Sequence, residues 1–307
     1  KGSLTLSSTF IITGGLGGLG LRAASMVKRH AQSARLVLTS RSGRIARDTQ
    51  GLATQLRSLQ SSSLQILPCD AGDAYDVTSL IMDSAGILRS PTLLHAAGIG
   101  DKGLLRDVRP PRVSEVLAPK AIGAFNLRAA LVGHNLHRAI YFSSVASGVG
   151  QVGQSTYAAA NACLDVLAQN ERLGRTAAVS LQLPYIRGAG MGAAHIDETR
   201  GDAFRGLAAL TLLEYEGALK SLFACGGAVG MSQLPQRLPA LIETLTDMRL
   251  PRFSDLMATV ESVQPVKATD RATTAMLLSP DQIESLVQRT INELSAGEVA
   301  SVDVPLM

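Results

Sequence analysis

The stretch Thr9-Phe10-Ile11-Ile12-Thr13-Gly14-Gly15-Leu16-Gly17-Gly18-Leu19-Gly20 decides the fold of this chain. Residues 9–13 are β-branched or aromatic and form a short apolar run fit for a buried strand. Five glycines then crowd into the seven positions 14–20, and residues 21–29 continue with apolar side chains at helical spacing. The pattern predicts a strand, a tight turn and a helix. A turn built from Gly14, Gly15, Gly17, Gly18 and Gly20 lets the backbone approach a pyrophosphate closely, and the helix after it offers its first amides to the anion. A plain tight turn beneath a packed helix is the alternative; the strand before and the helix after favour the nucleotide.

The same alternation repeats outward from this segment. Apolar runs at 35–40, 64–69, 91–95, 139–143, 177–183 and 228–234 end in small or polar residues or at a proline, with helix-length stretches at 50–60, 75–88 and 121–132 between them. This predicts an α/β fold, a doubly wound parallel sheet of Rossmann type, in which ligands collect at the carboxyl ends of the strands. From 239 to 278 the pattern weakens, with Pro251 and Pro265 interrupting it, and Ser279-Pro280-Asp281 then opens a helix from Gln282 to about Leu294. The expected organisation is a catalytic domain over 1–238, a linker over 239–278 and a separate terminal segment over 279–307.

Composition narrows the function. The 307 residues are 46% hydrophobic and 18% charged, enough apolar material for a full core. No apolar stretch approaches the roughly 18 residues of a membrane span, and the N-terminus lacks the order of a signal peptide, so a cytoplasmic setting is expected with no membrane partner. The net charge of +4 comes from scattered basic residues, aromatics make up 4%, and there is no Trp, which leaves little from which to build a nucleic-acid stacking surface. Cys69, Cys163 and Cys225 are odd in number and widely spaced, and read as reduced packing thiols; no metal site is implied. The chain opens at Lys1 rather than Met, and is expected to be a segment of a longer polypeptide.

Cofactor preference is legible after the second run. A carboxylate there would hydrogen-bond the 2′-hydroxyl of NAD and repel a 2′-phosphate; the residues present are Ser40 and Arg41, and a guanidinium matches a phosphate, so NADPH is expected. A solvated surface arginine is the alternative. Asp70, after the third run, is placed either to accept from the adenine amino group or to cap a helix.

A second constellation fits carbonyl reduction. Ser144 precedes Tyr157 by thirteen positions, Asn161 follows it by four, and Lys120 lies thirty-seven upstream. Hydride arriving at a ketone carbon leaves negative charge on oxygen, and the barrier falls if an acid protonates that oxygen while another donor steadies it. Tyr157 is the expected acid, Lys120 the cation that stabilises its phenolate, Ser144 the donor to the carbonyl, and Asn161 the holder of a water that relays protons towards Lys120. Each also has a structural reading: a turn cap for Ser144, a half-buried ring for Tyr157, a helix-end charge for Lys120 and a cap for Asn161.

At these residues the chain resembles the ketoreductase domains of modular type I polyketide synthases, within the short-chain dehydrogenase/reductase superfamily. The matching segments are TGGLGGLG at 13–20, SRSG at 40–43, CD at 69–70, HAAG at 95–98, PKAIGAFNL at 119–127, FSSVASGVGQVGQ at 142–154 and YAAANACLD at 157–165. The most specific mark is asparagine four after the tyrosine with lysine at 120; most of the superfamily carries lysine in the tyrosine helix and asparagine upstream. The resemblance implies that Thr13, Gly14, Gly15, Leu16, Gly17, Gly18, Leu19, Gly20, Ser40, Arg41, Asp70, Ala96, Ala97 and Gly98 line an NADPH site. It also implies reduction of a β-keto group on an acyl chain held by the phosphopantetheine arm of an acyl carrier protein, with other synthase domains as partners. Residues 279–307 resemble the opening of a carrier protein, and family members have an upstream half without cofactor. Three segments depart from the family. Gly100-Asp101-Lys102 replaces Leu-Asp-Asp, Val149 stands where one stereochemical class has tryptophan, and Gln182-Leu183-Pro184-Tyr185-Ile186 replaces Asp-Trp-Gly-Pro-Trp. A fatty acid synthase reductase and a catalytically silent scaffold are the competing readings.

Overall fold

Seven strands, all parallel, pair in the order β3-β2-β1-β4-β5-β6-β7 in the computed structural model, which describes residues 9–46, 50–150, 153–174, 176–193, 209–224 and 231–232. They are β1 (Thr9–Thr13), β2 (Arg35–Ser40), β3 (Leu64–Pro68), β4 (Thr92–His95), β5 (Arg138–Ser144), β6 (Ala178–Leu183) and β7 (Met231–Ser232). The order reverses between β1 and β4, which both pair in parallel, and this is where a doubly wound sheet opens a crevice for a ligand. β1 and β2 coincide with the expected runs, and β3, β4, β5 and β6 differ from theirs by one residue at one or both ends. The flanks of β7, the expected boundary near 238 and the expected helix at 282–294 fall outside the described residues.

Alternation along each strand builds two cores. Phe10, Ile12, Leu36, Leu38, Leu94, Ile140, Phe142 and Leu181 face α1 (Gly18–His30) and α9 (Leu212–Ala224), with Leu21, Met26, Tyr215 and Leu219 buried among them. Ile11, Val37, Leu93, Ala139 and Tyr141 point the other way, against α3 (Ala74–Ser84), α5 (Gly123–Ala130) and α7 (Ser155–Leu173). A strand covered on both faces is apolar through its middle, which is why β1 and β4 read as unbroken Phe-Ile-Ile and Leu-Leu runs, flanked by buried Thr and His, rather than as alternating ones. Each such Leu or Ile, moved fully out of water, contributes on the order of 2 kcal/mol.

Helix boundaries differ from expectation for identifiable reasons. The helix expected at 50–60 becomes α2 (Leu52–Leu59), because Gln50 and Gly51 take left-handed backbone angles, φ 65° and 68°. The one expected at 75–88 ends at Ser84 and tightens into a 3₁₀ turn over Ala85–Ile87. α3 starts where Asp73 accepts from the amides of Tyr75 and Asp76, so the cap falls on Asp73 and not on Asp70. α4 (Pro110–Leu117), which the periodicity left unassigned, opens on two prolines whose missing N–H groups are tolerated in a first turn. It runs through a π-helical turn, Ala118–Ile122, into α5. The Gly123 amide reaches back to the carbonyl of Ala118. Pro119 offers no N–H to the helical ladder, and the wider turn absorbs that loss. α6 (Ala146–Val149) and α8 (Gly190–Ala193) are single turns. Among the described residues no helix is long and apolar enough to cross a membrane.

Candidate active site

The π turn sets the lysine. Lys120, on that turn, is 3% exposed, and its Nζ donates at 2.7 Å to the carbonyl of Phe142 in β5. It therefore occupies the interior and not a helix end on the surface. Burial lowers its pKa to about 8, with the Asp165 carboxylate pulling the other way. Gly98 makes this position possible, since a Cβ there would lie 2.7 Å from Lys120 Cε. His95 fixes the backbone behind it. Its Nε2 lies 2.9 Å from the carbonyl of Lys120, and its Nδ1 lies 2.7 Å from Thr13 Oγ1. A carbonyl only accepts, so Nε2 carries the proton and the Thr13 hydroxyl donates to Nδ1. Burial holds His95 neutral, with its pKa lowered to about 4.

Tyr157 stands in the first turn of α7, with the Lys120 ammonium 5.5 Å from its ring centre. Burial raises the phenol's pKa, while contacts with the Asn161 and Ser144 side chains lower it. Ser144 ends β5, and its Oγ accepts from the amide of Ala146 at 3.2 Å, so it does hold a turn as well as facing the tyrosine. Asn161 lies one helical turn beyond Tyr157 and donates to that residue's carbonyl at 2.7 Å; it sits inside the helix, not at a cap. Its Oδ1 is buried with no hydrogen-bond partner among the described residues. The four residues expected from spacing are thus brought together by three elements: β5, the π turn and α7.

The expected cofactor residues lie along the same carboxyl edge of the sheet. Gly14 adopts φ 64°, and a Cβ on it would meet the carbonyl of Ala96 at 2.7 Å, so this position requires glycine twice over. The Gly15 amide donates to the Thr39 carbonyl and the Ala96 amide to the Thr13 carbonyl, which stitches the turn to β2 and β4. Leu16, Gly17, Gly18, Leu19 and Gly20 carry the chain from the turn into α1. Gly17 precedes α1 with no side-chain cap and no acidic residue in the first turn, an electropositive helix end suited to an anion. Thr13 is fully buried and spends its hydroxyl on His95. Ser40 Oγ donates to the carbonyl of Arg44, which curls the loop after β2 and leaves Arg41 and Arg44 both exposed in one turn. Asp70 accepts from the amide of Gly72 at 2.9 Å. Ala96, Ala97 and Gly98 continue from β4 and are half-buried.

Residues 8–188 match the profile of the KR domain. The chain belongs to that family. Spectinabilin polyketide synthase system protein NorB from Streptomyces orinoci is 35% identical over 191 residues, covering 62% of this chain and 9% of that protein. Polyketide synthase GfsB from Streptomyces halstedii is 37% identical over 180 residues, covering 59% and 3%. Among solved structures, PlmKR1, the ketoreductase from the first module of phoslactomycin biosynthesis in Streptomyces sp. HK803, is similar with a TM-score of 0.66 and 30% identity, covering 81% of this chain and 57% of that one. The chain thus spans less than a tenth of the length of these curated synthases. A KR domain is a nicotinamide-dependent reductase of the short-chain dehydrogenase/reductase fold, and the sheet order and crevice agree with that fold.

Spacing alone did not single out His95, visible only as the opening of HAAG, or Asp165, visible only as the last residue of YAAANACLD. A histidine that bridges two strands and a helical turn has no local signature.

Proposed function

We propose that this domain reduces the β-keto group of an acyl thioester to a hydroxyl in polyketide biosynthesis, using NADPH. The observation that carries the reading is the meeting of Lys120, Ser144 and Asn161 around one tyrosine at the carboxyl edge of the sheet. NADPH, when bound, supplies the hydride. Support for its site comes from the glycine turn, whose backbone approach a Cβ would block, and from the uncapped N-terminus of α1, suited to a pyrophosphate. Arg41, with Ser40 and Arg44 in the same exposed turn, would hold the 2′-phosphate that separates NADPH from NADH. Asp70 and the segment Ala96–Gly98 would line the adenosine and the crevice beyond it.

The chain's own residues would do the rest. Ser144 donates a hydrogen bond to the substrate carbonyl oxygen and holds it facing Tyr157. Tyr157 gives its phenolic proton to that oxygen as charge develops there. A phenol raised by burial is a reluctant donor, so the resulting phenolate needs stabilisation, which a hydrogen bond from Asn161 and the ammonium of Lys120 would supply while the Ser144 proton stays directed at the substrate oxygen. The unpartnered Asn161 Oδ1 is the acceptor that a proton-relaying water would use.

The substrate would be an acyl chain on the phosphopantetheine arm of an acyl carrier protein, with further synthase domains in the same polypeptide; membership of the KR family and similarity to multidomain polyketide synthases support this. Residues 279–307 would begin such a carrier protein, and the setting would be cytoplasmic. The test is NADPH oxidation with a β-ketoacyl pantetheine thioester and with the same acyl group on a carrier protein. Turnover of both, faster on the carrier, is expected; turnover of neither would reject the reading.

A further inference from the structure

Asp165 stands two helical turns beyond Tyr157 in α7, so Tyr157, Asn161 and Asp165 form one stripe at intervals of four residues. Its carboxylate accepts three hydrogen bonds. Ser180 Oγ donates to Oδ1, and Ser147 Oγ (2.6 Å) and Gln182 Nε2 (2.8 Å) converge on Oδ2. Gln182 Nε2 also donates to Ser147 Oγ at 3.1 Å. The Ser147 hydroxyl lies 2.8 Å from the carbonyl of Ser144, so its one proton is shared between that carbonyl and Asp165. Ser147 is in α6, the single turn that begins two residues after Ser144. The carbonyl of the serine that faces the tyrosine is thereby linked, through one hydroxyl, to a carboxylate on the tyrosine's own helix.

We propose that Asp165 is a positioning residue of the reducing centre: through Ser147 and Gln182 it clamps the Ser144–Ser147 turn to α7 and fixes the Ser144 hydroxyl relative to Tyr157. The inference rests on the reading of this domain as a ketoreductase. Three features carry it. A carboxylate accepting charge-assisted bonds from three side chains is held far more rigidly than a neutral pair would be. The linked parts come from different elements, α6, α7 and β6, so a rotation of α7 against the sheet would have to break several bonds together. The clamp also recruits Gln182, the first residue of the segment that departs from the family pattern, so that departure is built into the site's support and does not leave it open. The same carboxylate favours the charged form of Lys120, a secondary effect in the same direction.

The experiment pairs hydrogen exchange with kinetics. The amides of Gly148, Val149 and Gly150 bond to the carbonyls of Val145 and Ala146 and report directly on the turn. Exchange at these amides, NADPH dissociation constants and turnover are measured for the wild type, Asp165→Asn, Ser147→Ala and Ser147→Thr. Exchange should rise at least about tenfold in Asp165→Asn and Ser147→Ala, and Ser147→Thr, which keeps the hydroxyl, should restore the wild-type rate. Turnover in Asp165→Asn should fall on the order of tenfold with NADPH binding unchanged. In a Ser144→Ala background the same substitution should cost less than about twofold, because the group it positions is gone. Wild-type exchange rates in both Asp165→Asn and Ser147→Ala, or an undiminished loss in the Ser144→Ala background, would overturn the proposal. A wild-type domain without turnover would reject the ketoreductase reading instead, and the exchange rates would still decide the clamp.

Discussion

The Lys120 ammonium lies 5.5 Å from the centre of the Tyr157 ring and donates at 2.7 Å to the carbonyl of Phe142. It is therefore anchored to the strand that ends in Ser144 while facing the helix that carries the acid. The ammonium faces the ring of the phenol, and the field of its charge is what we expect it to offer a phenolate. Such a field depends on the lysine staying protonated in a site that resists protonation.

Turnover and stability should consequently move in opposite directions above neutral pH. The folded pKa of Lys120, about 8, lies below its ordinary 10.5 because burial disfavours the ammonium. The unfolded chain thus binds the proton more tightly, and the cost of burying the charge, up to roughly 3 kcal/mol, is full below pH 8 and relieved between about 8 and 10.5. Turnover should decline as pH rises through about 8, while this residue's contribution to stability rises. Lys120→Met should lose most turnover, remove that turnover decline, and unfold at a higher temperature than wild type at pH 7. Thermal unfolding and pH–rate profiles of the two proteins check both halves.

Gly98→Ala should act on catalysis through Lys120. A methyl at that position would lie 2.7 Å from Lys120 Cε, so either the ammonium leaves its bond to Phe142 or the loop after β4 shifts. The expected result is a fall in kcat on the order of tenfold, with a smaller change in melting temperature than a core truncation gives. Steady-state kinetics and a melting curve measure it.

Cofactor choice should turn on Arg41. It is exposed beside the end of β2, where a carboxylate would favour the unphosphorylated ribose. Arg41→Asp should weaken NADPH binding by about 10²-fold and leave NADH binding nearly unchanged, and Arg44→Ala in the same turn should produce a smaller loss with the same selectivity. Fluorescence titration with both nucleotides reads the difference; equal losses for the two would assign the phosphate elsewhere.

The sheet was legible in the sequence because strands covered on both faces cannot hide: the central ones had to be apolar through their middles, and glycine had to fill the turn at Gly14. Tyr157 and the three residues around it were legible because Tyr157 and Asn161 share a helix at a spacing of four and Ser144 ends a strand. What the spacing could not convey was how they are held. His95 supports Lys120 across twenty-five residues of sequence, and Gln182 supports Ser147 across thirty-five. Neither pairing has a local period. The cap at Asp73 in place of Asp70 turned on three residues of loop geometry, and the π turn on one proline, both below the resolution of pattern reading.

Whether Tyr157 is the proton donor of a working ketoreductase is decided by comparing wild type with Tyr157→Phe on a β-ketoacyl carrier substrate with NADPH. The phenylalanine keeps the ring beneath Lys120 and removes only the hydroxyl. NADPH binding should stay within about twofold of wild type and turnover should fall by about 10²-fold or more. Equal turnover of the two proteins, or a wild type that binds NADPH yet never oxidises it on any β-ketoacyl substrate, would contradict that role.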